Sequence, residues 1–368
     1  METIESQAKH FDLYKAYKRI PSAHKNRAEV LHSKLDLLLD LARQLESPLL
    51  RRLKPTIVVS LKWRFDYLIK TLESPFELEK DVDYWISTLE AMKHLGQEGW
   101  FPLDGQSKEI DPWTRTAQGF DLGWTTTTEN ERFEISKRIA RDRLAQIYAM
   151  WGGPEKIKGA TILDSGCGPG RYIDEMRQYG PKKIVGLDQG AKLVNVLRER
   201  FAGDERIEIV KGTCEDLSQF ADNTFDIVFS NGVIHHTKSD LKTMFEDHAR
   251  VLKPGGVMFI MLVGKGGLEL KVWEFARNLL NDVPLETMLS LWKDVVSDLR
   301  LQGIVDHMYG EYQELDRDTF ESWAKPLFKK IEPVAGIEGL DITPEIYSND
   351  PYFEARFGTG HLRYLLYK

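Results

Sequence analysis

The chain has 368 residues, 42% hydrophobic and 29% charged, proportions that exclude a disordered or fibrous protein and exceed what one core usually fills, so two units are expected. A formal net charge of −7 disfavours a general binder of the phosphate backbone, and bulk nucleic acid is not an expected partner.

The first twelve residues lack the charged start and apolar middle of a secretory signal, and no apolar run approaches the length that crosses a bilayer. A cytoplasmic protein with no membrane partner is therefore expected. Lys9, Lys15, Lys18, Arg19, Lys25 and Arg27 read as a solvated helix face, with an acidic or leader-peptide substrate as the sharper alternative. Apolar residues three and four apart, Leu35, Leu38, Leu39, Leu41 and Leu45, then Trp85, Leu89 and Met92, indicate helices, and a helical N-terminal domain is assigned to 1–125. Trp63, Trp85 and Trp100 in this part could close a substrate site or bind a partner. The stretch from Gly99 to Trp124, rich in Gly, Pro, Asp and Trp, reads as a loop-rich connection. Thr128 with Glu131 fits a capping box, opening a helix whose apolar face is Phe133, Ile139, Leu144, Ile147 and Met150.

After Gly159 short apolar runs alternate with helical segments: Ile162 to Leu163, Ile184 to Leu187, Ile207 to Val210, Phe225 to Phe229 and Val257 to Val263. Such alternation signals βαβ units and a mostly parallel sheet buried on both faces. Two late strand-like runs, Ile331 to Ile337 and His361 to Tyr367, bring the total to seven. Between them and the fifth run, 264–330 reads as a helical lid carrying Trp273, Phe275, Leu289, Trp292 and Trp323. The second domain is thus 126–368, an α/β doubly wound sheet with that insertion.

The first of these runs ends in Asp164-Ser165-Gly166-Cys167-Gly168-Pro169-Gly170, a glycine-rich turn opening a helix where open sheets bind ligands. A dinucleotide site wants its third glycine where Arg171 stands, which argues against NAD. Asp188 ends the second strand eighteen residues after Gly170, where a carboxylate can accept bonds from both hydroxyls of a ribose. Two cysteines, Cys167 and Cys214, are too few for a disulfide framework or a four-cysteine zinc site; both read as pocket-wall residues, and no metal is expected.

The turn resembles motif I of class I S-adenosylmethionine-dependent methyltransferases, and the order and spacing of the later segments resemble the ubiquinone and menaquinone methyltransferase-like branch, from about Gly159 to Gly264. The resemblance implies a Rossmann-like fold, S-adenosylmethionine as cofactor, and Asp164 with the backbone of Gly166, Cys167, Gly168, Gly170 and Arg171 around its methionine part. It places Asp188 and Gln189 at the ribose and Gly212 to Leu217 at the adenine, with Thr213, Cys214 and Glu215 as contacts. Thr213 departs from the Asp often found there, which leaves the partner of the adenine amino group to Glu215 or a carbonyl. Asn231, His235 and His236 follow the fourth strand in the segment that passes the methyl group. Leu252-Lys253-Pro254-Gly255-Gly256 resembles the family's structural turn.

Methyl transfer from a sulfonium needs alignment and exclusion of water more than covalent catalysis, and a His serves as base where the acceptor must lose a proton. His235, His236 and His307 are the catalytic candidates; the plainer alternative is that one of the pair braces its loop through a backbone bond. Trp273, Tyr309 and Tyr312 are candidate substrate contacts, or core. The favoured acceptor is a small molecule of secondary metabolism, methylated on O, N or C. A peptide, protein or RNA gripped by the N-terminal helices is the alternative, and a repurposed fold without transfer is a third.

Overall fold

The computed structural model describes residues 22–45, 47–99, 111–127, 130–283, 285, 305–337 and 340–368. Among the described residues five α-helices come first: α1 Ser22–Gln44, α2 Pro48–Lys70, α3 Leu78–Gln97, α4 Pro112–Thr127 and α5 Asn130–Trp151. The Leu31, Leu35, Leu38 and Ala42 face of α1 packs against Leu61, Phe65 and Leu68 of α2 and Val82, Ile86 and Leu89 of α3, as the helical spacing requires. Of the early cations only Arg27 has a described side chain; it lies over the Phe76 ring. Trp100, Thr128, Leu289 and Trp292 lie outside the described residues.

The stretch expected to be loop contains a helix instead. Asp111 accepts the Thr114 N–H at 2.8 Å and Pro112 occupies the first turn, a start signal that outweighs the Gly119 and Gly123 interruptions. α4 buries Arg115 and Thr116 and projects Phe120, Asp121 and Trp124 toward the sheet.

The sheet has seven strands in the order β3-β2-β1-β4-β5-β7-β6: β1 Thr161–Ser165, β2 Lys183–Asp188, β3 Ile207–Lys211, β4 Phe225–Asn231, β5 Leu252–Leu262, β6 Lys330–Pro333 and β7 Leu362–Tyr367. The first five are parallel and β7 runs antiparallel to both β5 and β6, which makes the fold the expected mostly parallel, Rossmann-like α/β sheet. The order reverses beside β1, so the ends of β1 and β4 form a crevice. Helices α6 Arg171–Met176, α7 Ala191–Arg200, α8 Leu241–Val251 and α10 Arg317–Ala324 cover the faces. Ile162, Ile184 and Ile227 point to one buried layer, and Leu163, Val185 and Val228 to the other.

The insertion helix α9 Leu268–Leu279 does not stand apart from the N-terminal helices. Val272, Phe275, Ala276 and Leu279 share one core with α1, α2 and α3, joined by Tyr309 and by Phe353 and Phe357 of α11 Phe353–Phe357. Residue 125 falls inside α4, so the described chain passes between the two assigned units without an intervening linker.

Behind β7, Asp341 joins three segments. It accepts Arg143 of α5 at 2.7 Å and Arg363 of β7 at 2.8 Å, with both Asp341 and Arg363 fully buried. Burial pushes the Asp341 carboxyl up, but the two guanidinium groups outweigh it and hold it below its ordinary value. Asp341→Ala would strand two cations, and a loss of about 3–5 kcal/mol in urea unfolding is expected; an unchanged midpoint would show that the triad does not hold the fold.

Candidate active site

A cavity of about 310 Å³ opens in the crevice, with β1, β2 and β4 beneath it and α4 and α5 above. Its floor follows from the glycines. Gly166 has φ +74° and a Cβ there would fall 2.3 Å from Val233, so only glycine fits. Leu187 O accepts the Gly166 and Cys167 N–H groups at 2.8 and 3.0 Å, which ties the turn to β2. Gly170 lies behind the turn, its φ of +77° starting α6 and a Cβ meeting Phe201 at 2.8 Å.

Asp188 accepts Gly168 N–H at 3.0 Å through Oδ2 and Gly190 N–H at 2.9 Å through Oδ1. Each oxygen keeps a further lone pair for a ligand. Burial raises its pKa, opposed by those backbone bonds. Asp164 is 2% exposed, and its Oδ2 has no hydrogen-bond partner within the protein. Burial pushes this carboxyl up to about 7, with Asp188 adding and Arg171 opposing. A buried polar atom without a partner costs stability unless a ligand satisfies it. Asn231 Oδ1 is a second such atom on the same wall.

Of the residues expected at the cofactor, Asp164, Gly166, Cys167, Gly168, Arg171, Asp188, Gln189, Cys214 and Asn231 line the cavity. Thr213 and Glu215 do not; Thr213 Oγ1 pairs with Glu215 at 3.3 Å and Glu215 accepts Ser239 N–H at 3.1 Å, so they shape the loop. Gly212 and Cys214 face the cavity in their place. Burial pushes the Cys214 thiol up to about 12 and Cys167 well above its ordinary value, which makes both apolar wall rather than nucleophile.

His235, His236 and His307 all line the other end, joined by His361, which sequence reasoning missed. His236 Nδ1 is 2.7 Å from the Glu311 carbonyl. A carbonyl only accepts, so Nδ1 carries the proton and Nε2 keeps a lone pair. Phe120 meets the His236 ring edge-on at 4.8 Å and Tyr312 at 6.2 Å. Burial lowers His236 to about 4 against the Glu311 bond, and lowers His361 to about 4. His235 and His307 also fall well below their ordinary values through burial, and the Nδ1 of each has no partner within the protein.

Trp273, Tyr309 and Tyr312 stand behind this wall rather than in it. Trp273 stacks on His307 at 5.1 Å, Tyr309 donates to Val283 O at 2.6 Å, and Arg277 lies 4.2 Å above the Tyr312 ring. Aromatics at helical spacing became support. What sequence reasoning missed is the roof: Phe120, Asp121 and Trp124 of α4, and Ser136, Ile139 and Arg143 of α5. Ile139 belongs to the helical periodicity; no sequence signal marked the others as site residues.

Residues 163–260 match the family model described as a methyltransferase domain. This stretch is a class I S-adenosylmethionine-dependent methyltransferase domain. Among similar curated proteins, a tRNA U34 carboxymethyltransferase of Helicobacter acinonychis (strain Sheeba) is 34% identical over 134 residues, covering 35% of this chain and 50% of that protein. The mitochondrial ubiquinone biosynthesis O-methyltransferase of Mus musculus is 29% identical over 171 residues, 45% of each. A Burkholderia thailandensis 1,6-didemethyltoxoflavin-N1-methyltransferase, solved with bound 1,6-didemethyltoxoflavin and S-adenosylhomocysteine, is 15% identical with a TM-score of 0.39, covering 72% of this chain and 93% of that one. The chain spans half or less of the length of the curated relatives it matches.

These relatives correct one expectation. Several are named for a tRNA position, which overturns the exclusion of nucleic acid and leaves the preference for a small-molecule partner unsupported. Net charge sums the whole surface and does not describe the face at which an acceptor enters. No described helix is long and apolar enough to cross a membrane.

The site fits its cofactor: a glycine turn open to the ligand, an acid at the end of β2, apolar walls from Leu187, Leu193 and Cys214, and an unpaired carboxyl at Asp164. If Asp164 receives the cofactor's ammonium group, binding must first remove the proton that Asp164 holds below about 7. Affinity for S-adenosylhomocysteine should then fall about tenfold per pH unit below that value. Titration calorimetry of Asp164→Asn should give weaker, pH-independent binding; a pH-independent wild type would remove Asp164 from this role.

Proposed function

We propose that the chain transfers the methyl group of S-adenosylmethionine to a planar acceptor that gives up a proton, and that a base of an RNA is the first acceptor to test. The observation that carries the proposal is His236: its tautomer is fixed by Glu311, its ring is held by Phe120 and Tyr312, and it lines the cavity beside an unpaired His235 Nδ1. RNA is put first because the similar proteins named above include tRNA U34 carboxymethyltransferases.

When bound, the cofactor supplies an electrophilic methyl carbon on a sulfonium. Asp188, the glycine turn and Asp164 would orient it, beneath Phe120 and Trp124 of α4. The acceptor would take that methyl group in place of a proton, and the proton must pass to a residue that lines the cavity. His236 Nε2 takes the acceptor's proton. A lone pair depressed to about 4 is always free near neutrality but draws a proton only from an acidic group, which favours an imide, enol or phenol over an alcohol or amine. His235 and His307, neutral beside it, offer further polar atoms to the acceptor's edge.

The test is transfer of labelled methyl to a pool of small RNAs and, in parallel, to free aromatic hydroxyl compounds, with Asp188→Ala and His236→Gln beside the wild type. Label in RNA that both variants lose is the expected result. His236→Gln should lower kcat by roughly 10²- to 10⁴-fold with cofactor affinity unchanged. Label only in free compounds overturns the RNA reading, and wild type that binds no S-adenosylhomocysteine overturns the whole proposal.

A further inference from the structure

Asp188 has a neighbour of the same charge, supplied by α4 from outside the matched domain. Asp121 and Asp188 converge on Gly190: a Cβ there would lie 2.7 Å from Asp121 Oδ1 and 3.3 Å from Asp188 Oδ1. Burial raises the Asp188 pKa, and Asp121 adds to that rise. Both residues line the cavity. Two carboxylates this close repel, and the arrangement persists only where something offsets the repulsion.

A cap on α7 is a weak offset. Asp121 Oδ1 lies 3.4 Å from the Leu193 N–H, near the limit of a hydrogen bond. The same cavity also holds Asp164, 2% exposed with an unpartnered Oδ2, which marks it as a place built around a polar ligand. A ligand with hydroxyls on adjacent carbons would donate to both acids and convert repulsion into two charge-assisted bonds. Phosphate or carboxylate at this point would meet two negative charges.

We infer that Asp121 is a second acceptor for the cofactor's ribose, so that the diol is held between Asp188 of β2 and Asp121 of α4. This rests on the cofactor reading above and extends it. It makes α4 part of the cofactor site rather than a cover, with Trp124 beside the glycine turn, 3.8 Å from where a Gly168 Cβ would stand. It also explains why α4 carries an acid facing an already acidic strand end.

Asp121→Asn keeps an oxygen for Leu193 N–H while removing the charge, and matched thermal unfolding of the ligand-free proteins checks that the fold is intact. Calorimetry with S-adenosylhomocysteine and its 2′-deoxy and 3′-deoxy analogues then separates the roles. The expected result is a loss of roughly tenfold for S-adenosylhomocysteine, which disappears for one deoxy analogue because the bond is already missing. Equal loss for all three ligands would show a structural role and overturn the inference, as would binding within twofold of wild type. Wild type that binds none of the three would fail at the cofactor site itself, and the inference would fall with it.

Discussion

One carboxylate at the end of β2 sets the geometry of the cavity. Asp188 accepts an N–H from the turn after β1 and another from the turn before α7, so two loops from different parts of the chain are fixed to one point. The turn after β1 is held again by Leu187 O. A rigid turn matters because displacement in a line needs the leaving sulfur and the acceptor on one axis, and a small error in position costs much of the rate. The clamp costs desolvation of a charge, visible as the raised Asp188 pKa, and the backbone bonds offset part of it.

The acceptor end is held by a second frame. Arg115 of α4 and Arg277 of α9 both reach Glu311, at 3.8 and 3.4 Å, and Thr116 Oγ1 accepts the Glu311 N–H at 2.8 Å. Glu311 O in turn fixes His236, and Arg277 donates to His307 O at 3.0 Å. The N-terminal helices and the insertion therefore do more than share a core. They position the imidazoles, the sheet positions the glycine turn and Asp188, and neither half completes the cavity alone.

How much of this the sequence revealed depends on which interactions are local. The seven strands were legible because a buried strand is a continuous apolar run, and the turn at Gly166 because only glycine tolerates its φ. Asp188 was legible from its distance to that turn. Asp121 was not, since nothing near it in sequence announces that α4 folds over a strand 67 residues away. α4 itself was missed because two glycines and a proline outweighed the Asp111–Pro112 start in a reading by composition. Tyr309 and Tyr312 stayed open between substrate contact and core for a related reason: periodicity says which residues share a face, but not whether that face meets a ligand or another helix.

The four histidines of the cavity share one electrostatic environment. An imidazole at neutral pH in water would be part cation, and a cation beside a sulfonium would be repelled. Burial removes that charge from His235, His236, His307 and His361 together. Neutral rings would tolerate a positively charged cofactor in the cavity they line. The same burial that would weaken His236 as a base keeps it uncharged in the cavity, and the proposed preference for an acidic acceptor rests on that.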